Sequence, residues 1–108
     1  MTVVSVYAVF ASADEAERIG RQMVEERLAA CVNILPKARS IYRWEGKLEE
    51  SAEWLLLIKS RRDLFTALRA EIQRMHTYEV PEVIAIPVVD GSEAYLEWLD
   101  AQLITPAE

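Results

Sequence analysis

Ala30-Cys-Val-Asn-Ile-Leu-Pro-Lys-Ala-Arg-Ser-Ile-Tyr-Arg-Trp44, then Glu45-Gly-Lys47, then Trp54-Leu-Leu-Leu-Ile58 is the stretch whose reading decides the fold. Both long runs are rich in β-branched, aromatic and leucine residues, so they read as consecutive strands joined by a turn. The polar run from Lys47 to Ser51 is assigned to that turn. Upstream, Val3-Val-Ser-Val-Tyr-Ala-Val-Phe10 is a first strand. Ser12 and Glu15 follow at capping-box spacing, and Ala16, Ile19, Met23, Val24 and Leu28 mark one face of a helix. Downstream, Ser60 and Asp63 repeat the capping pattern before Leu64, Phe65, Leu68, Ile72 and Met75 of a second helix. Val83 to Val89 is a fourth strand, and Asp90 or Ser92 caps a last helix bearing Tyr95, Leu96, Leu99 and Leu103.

Strand, helix, strand, strand, helix, strand and a final helix is an α+β pattern, the ferredoxin-like split βαβ arrangement on a four-stranded sheet. One domain spanning residues 1–108 is expected, since so short a chain leaves no room for a second. Right-handed crossovers put the first and third strands in the middle. Proline cannot donate to an interior ladder. Pro36 and Pro87 fall in the second and fourth strands, the two that this topology places at the edges.

With 52% hydrophobic and 28% charged residues the chain can build a core, which excludes disorder and low complexity. Acidic residues outnumber basic ones, 18 to 12, for a net charge of −6. That balance repels phosphate backbones and anionic membranes and suits cations, so neither nucleic acid nor membrane is expected as a partner. The longest uncharged stretch, Met1 to Ala13, is too short to span a bilayer and lacks the basic start of a signal peptide. Cys31, the single cysteine, forms no disulfide within the chain and fits a reducing compartment. The expected location is the cytoplasm.

Two crossover helices cover one face of such a sheet, yet Leu55 to Ile58 and Val83 to Ile86 are apolar on both sides. Four strands about 20 Å long and about 4.8 Å apart expose roughly 400 Å² per face, near the limit for a soluble monomer. Either the last helix crosses that face or another subunit does, and the helix is too short to screen all of it. A homo-oligomer of closed symmetry is therefore expected.

The polar residues in unusual company are few. His76, the only histidine, opens His76-Thr-Tyr-Glu-Val-Pro-Glu82, which gathers an imidazole, a phenol and two carboxylates. As the end of a helix it has a plain structural role at the dipole, beside its use as a metal ligand or acid–base group. Cys31 in an apolar strand is either a small hydrophobe or, with His76 or Glu79, a ligand for copper or zinc. No Cys-x-x-Cys or His-Glu-x-x-His occurs, so any metal site is completed by water or shared between subunits. Lys37, Arg39 and Arg43 form a basic patch suited to the acidic turn of another subunit. The third strand lacks the basic-Gly-aromatic signature of RNA-recognition domains.

Glu26-Arg-Leu-Ala-Ala-Cys-Val-Asn-Ile-Leu-Pro36, Ser40-Ile-Tyr-Arg-Trp-Glu-Gly46, Glu53-Trp-Leu-Leu-Leu-Ile-Lys59, the His76 to Glu82 loop and Tyr95-Leu-Glu-Trp98 together resemble the CutA family of divalent-cation tolerance proteins. The resemblance implies a ferredoxin-like subunit in a tight homotrimer similar to the PII signalling proteins, with a role in tolerance to copper and other divalent ions. It also implies metal positions at Cys31, His76 and Glu79, and a subunit cleft lined by Tyr42, Trp44, Lys59, Tyr78 and Trp98. The family loop typically has proline after its histidine. Thr77 stands there instead, which restores a backbone donor and is expected to loosen the loop.

The leading expectation is a non-enzymatic trimer that binds copper(II) or another divalent cation, none of it tightly held. The alternative is a PII-like sensor or scaffold whose clefts take a small anion or a partner protein through Lys59, Arg43 and Tyr78. An enzyme using His76 and Glu79 as acid and base lacks a third group to orient the pair.

Overall fold

The computed structural model describes residues 2–105 and contains β1 (Val3–Phe10), β2 (Cys31–Trp44), β3 (Lys47–Arg61) and β4 (Val83–Pro87), with α1 (Ala13–Glu25), α2 (Phe65–Met75) and α3 (Glu93–Gln102). Every neighbouring strand pair is antiparallel, in the order β2-β3-β1-β4. The expected α+β, split βαβ architecture is what forms. The prolines behave as their chemistry requires. Pro87 ends the edge strand β4, and Pro36 sits with Lys37 (φ 58°) in the irregularity that shifts the β2 register between Leu35 and Ala38.

Three local expectations are corrected. The run from Lys47 to Ser51 is strand, not turn, because the reversal is completed by Glu45 and Gly46 alone, at φ 49° and 81°. Positive φ at two successive residues is the twist a two-residue hairpin needs, so β2 and β3 pair at once. Ser60 is no helix cap: its hydroxyl is buried and donates to the Leu28 carbonyl at 2.6 Å, and α2 starts only after a 3-10 turn at Arg62–Leu64. At the last helix, Ser92 occupies the N-cap position but makes no capping bond, while Asp90 accepts from the Gly91 amide. Ser12 does cap α1, accepting from the Glu15 amide at 3.2 Å.

α1 and α2 cover one face of the sheet. Val4, Val6, Ala8, Phe10, Leu56 and Ile58 meet Ala16, Ile19, Met23, Leu68 and Ile72 there, all buried. The opposite face is only partly closed. α3 lies over its Val3 end, where Leu99 and Leu103 are buried and Arg61 bonds Asp100 at 2.7 Å and the Ile104 carbonyl. Beyond it Leu35, Ile84 and Ile86 stay more than two-fifths exposed.

β1 reaches β3 only as far as the Phe10–Trp54 pair, so the hairpin from Ala38 to Glu53 projects as a two-stranded arm. The radius of gyration, 14.5 Å, exceeds the roughly 13 Å of a spherical chain this size for that reason. Ile41 and Leu48 on the arm are 64% and 71% exposed. A two-stranded ribbon is marginal alone in water, and this one displays apolar side chains along an unpaired edge.

Candidate functional site

α2 ends at Met75, and His76 turns extended, so its ring swings back into the core instead of out toward solvent. It stacks on Phe10 with centroids 4.6 Å apart. Nε2 lies 2.7 Å from the Val9 carbonyl, which can only accept, and Nδ1 accepts from the Tyr78 amide at 3.0 Å. Those two bonds define the neutral Nε2–H tautomer and leave neither nitrogen free. A metal on His76 has to displace one of them.

Thr77 does not loosen the loop as expected from the sequence. Its amide and its hydroxyl both donate to the buried carboxylate of Glu15, at 3.0 and 3.1 Å. The donor that proline would remove is therefore in use, and it ties the loop to the start of α1. Tyr78 reaches the other way, donating from its hydroxyl to Oε2 of Glu53 at 2.7 Å. Burial and the charge of Glu53 push the Tyr78 phenol well above its usual range. The Tyr78 ring also leans on His76, centroids 4.8 Å apart.

Loop and arm together enclose a cleft of about 550 Å³ lined by Val9, Ser40, Ile41, Tyr42, Trp44, Glu53, Tyr78, Glu79, Val80 and Glu82. Three carboxylates and three aromatic rings stand in it, and no basic side chain lines it. Tyr42 is steadied by Ser51 at 2.8 Å. Of the expected cleft residues Tyr42, Trp44 and Tyr78 are here, with Glu79. Glu82 is the second carboxylate of the loop that the sequence gathers around His76, whereas Glu53 and Glu15 carry no site signal in the sequence. Glu15 reads as a capping residue and Glu53 only as part of a stretch that resembles the family, and only the tertiary pairing with loop residues gives them other work.

Lys59, Cys31 and Trp98 are elsewhere. Cys31 pairs with Lys59 in the β2–β3 ladder, and Lys59 Nζ lies 4.0 Å from its Sγ. Tyr95 of α3 also contacts Cys31 and stacks on Trp98, centroids 5.7 Å apart. In register Lys59 faces Ser5 while the cleft residue Val9 faces Leu55. Four residues of strand, about 13 Å, separate the two ends. Within one subunit Cys31 therefore does not join His76 and Glu79. Among the described residues no group of three His, Cys, Asp or Glu is close enough to hold a metal ion. The basic patch divides too: Arg39 pairs with Glu50 of its own arm and Arg43 donates to the Gly46 carbonyl.

The family model described as CutA1 divalent ion tolerance protein matches residues 4–102. This chain belongs to the CutA1 family. It is 47% identical over 88 residues to the divalent-cation tolerance protein CutA of Thermus thermophilus, covering 82% of this chain and 85% of that one. It is 45% identical to the chloroplastic protein CutA of Arabidopsis thaliana over 87% of this chain and 52% of that one. The chain thus spans about half the length of that plant relative. Among solved structures, CutA1 from Oryza sativa superposes with a TM-score of 0.96 at 40% identity, covering 98% of this chain and 97% of that one. The CutA of Archaeoglobus fulgidus superposes at 0.90 with 39% identity, covering 93% and 97%.

CutA1 membership corrects the expected location. The Arabidopsis and rice relatives are named chloroplastic, and the Archaeoglobus structure is named a periplasmic protein. A lone cysteine shows that no disulfide forms within the chain, which is compatible with any compartment. No helix among the described residues is long and apolar enough to cross a membrane. The CutA1 name describes tolerance to divalent ions, not a reaction.

Proposed function

We propose that this chain, one domain over residues 1–108, is a homotrimer that serves divalent-cation tolerance by binding cations, copper(II) foremost, at the seams between subunits. It does so without catalysing a reaction. The observation that supports the reading is the uncovered apolar surface: Leu35, Ile84 and Ile86 on the open face, and Ile41, Trp44 and Leu48 on the arm, are each more than two-fifths exposed. Pairing three copies buries that surface and gives each arm an edge to pair with.

Among the described residues of one subunit the donors are dispersed and no group of them forms a metal site. The seam supplies it: Glu79 is exposed on the loop of one copy, and the half-buried Cys31 lies at the edge strand of another. Together they offer a hard and a soft donor, a set that suits copper and zinc. His76 serves by holding Tyr78 and Glu79 in place through its two ring hydrogen bonds.

Sedimentation equilibrium with copper(II) titration tests both halves. The wild type is expected to sediment at three times 12.3 kDa and to bind copper, with affinity reduced at least tenfold in Cys31→Ser, Glu79→Gln. A folded monomer, or unchanged copper affinity in that double variant, overturns the proposal.

A further inference from the structure

The chain holds four aspartates and one asparagine, and four of these five sit in held backbone. Asp14 lies in α1, Asp100 in α3 and Asn33 in β2, and Asp63 belongs to the 3-10 turn before α2. Arg61 also engages the carboxylates of Asp63 and Asp100, at 3.0 and 2.7 Å. Asp90 differs. β4 ends at Pro87, and the Val88 amide still bonds the Val3 carbonyl. From Val89 to Ser92 no amide makes a backbone hydrogen bond among the described residues, and Ser92 gives α3 no capping bond that would fix the chain there. The Gly91 amide turns instead to the side chain before it, with its nitrogen 2.8 Å from Oδ1 of Asp90. That contact sets the nitrogen beside the carboxyl carbon, the approach from which a five-membered ring closes. Glycine carries no Cβ to hinder it.

We propose that Asp90-Gly91 is a self-modification site, where the chain isomerises to isoaspartate through a cyclic imide. The Gly91 nitrogen bonds to Cγ of Asp90 and gives up its proton. The Asp90 carboxyl, in its acid form, gives up its hydroxyl, so one water leaves. One water then returns. Cleavage of the new N–Cγ bond restores aspartate, whereas cleavage between the Gly91 nitrogen and the main-chain carbonyl of Asp90 routes the backbone through the side chain. Atoms balance overall, and no oxidant, metal or enzyme is consumed. The product has one extra methylene in its backbone and a free α-carboxylate, the group that protein-isoaspartate methyltransferases modify. It arises directly before α3, whose Leu99 and Leu103 close the Val3 end of the open face. Because the step is intramolecular, it requires a loosely held backbone and not an open surface. Neither Cys31 nor Glu79 takes part, so the inference does not rest on cation binding.

The test keeps the purified full chain at physiological temperature and neutral pH for several weeks, then cuts it with a glutamate-specific protease. That releases Val83–Glu93, in which Asp90 is the one aspartate. Isoaspartate is read by enzymatic methyl transfer from labelled S-adenosylmethionine and by fragmentation mass spectrometry, against a synthetic peptide of the same sequence in the same buffer. Accumulation at Asp90 is expected, no more than about tenfold slower than in the peptide, with Asp14, Asp63 and Asp100 unmodified. Gly91→Ala is expected to slow it at least about tenfold, because the added methyl crowds the attacking nitrogen. That methyl would meet Cδ2 of Leu96 at 3.3 Å, the end of a side chain that can shift, so the variant should fold. Asp90→Glu, whose ring would need six members, is expected to accumulate none, and unchanged melting curves verify that both variants are folded. A folded chain more than about tenfold slower than the peptide overturns the proposal, the result expected if a second copy clamps the connection. So does equal accumulation at the other aspartates, or accumulation that persists unchanged in Gly91→Ala. The copper titration reads other residues, so failure of either result leaves the other standing.

Discussion

The hydroxyl of Tyr78 donates to the carboxylate of Glu53 at 2.7 Å, and this bond joins the loop after α2 to the base of the arm. The two residues are 25 positions apart in sequence and come from elements that do not otherwise share a strand pairing. Glu53 is buried, so its charge needs that donor. Tyr78→Phe is expected to cost about 1.5–3 kcal/mol, the range for a hydrogen bond to a charged group. Urea denaturation with an unchanged slope checks it; a loss below a few tenths would mean that water replaces the phenol.

The same phenol shapes alkaline stability. Burial and Glu53 raise its folded pKa above the unfolded value near 10, so the folded state keeps a proton that the unfolded chain releases. Stability is therefore present below about pH 10 and declines as pH rises beyond it. Tyrosinate absorbance is expected to show one of the four tyrosines titrating last, and Tyr78→Phe to remove that slow fraction.

His76→Ala deletes a ring packed on Phe10 and strands the Val9 carbonyl and the Tyr78 amide together. A loss of about 2–4 kcal/mol is expected from the cavity and the two unmet groups. Hydrogen exchange is the sharper readout, because the Tyr78 amide should exchange at the rate of an open loop.

The neighbouring carboxyl of Glu71 raises the pKa of Glu26, with burial adding to the effect. One Glu26 oxygen is buried without a partner among the described residues. A raised carboxyl pKa means stability that is full below the unfolded pKa and lost as pH climbs through the folded one. The melting temperature of Glu26→Gln is expected to vary less between pH 4 and pH 7 than that of the wild type. Thermal melts across that range decide it, and parallel curves for the two proteins would exclude the raised pKa.

Ile41→Lys with Leu48→Glu places charges on the two most exposed apolar side chains of the arm. Neither is in the core, so the subunit should fold, while the proposed trimer should dissociate. Sedimentation at 12.3 kDa with native far-ultraviolet circular dichroism is the expected result, and a persisting trimer would show that the arm is not at the seam.

Much of this protein was determined by the order of its residues alone. Period-two and period-3.6 apolar patterns, two prolines and a capping serine are local signals, and they sufficed for element order, for edge strands at Pro36 and Pro87, and for an open apolar face. The hairpin length was missed because polar residues at Lys47 to Ser51 look like a loop. A ribbon exposed on both faces has no apolar alternation to reveal it. What only tertiary structure decided is which side chains meet. Thr77 reaches Glu15 across 62 positions, His76 reaches Val9 across 67, and Cys31 is held at the far end of the sheet from both. Hydrogen bonds and charges act over a few ångströms, so contacts between distant positions exist only after the strands have chosen their register.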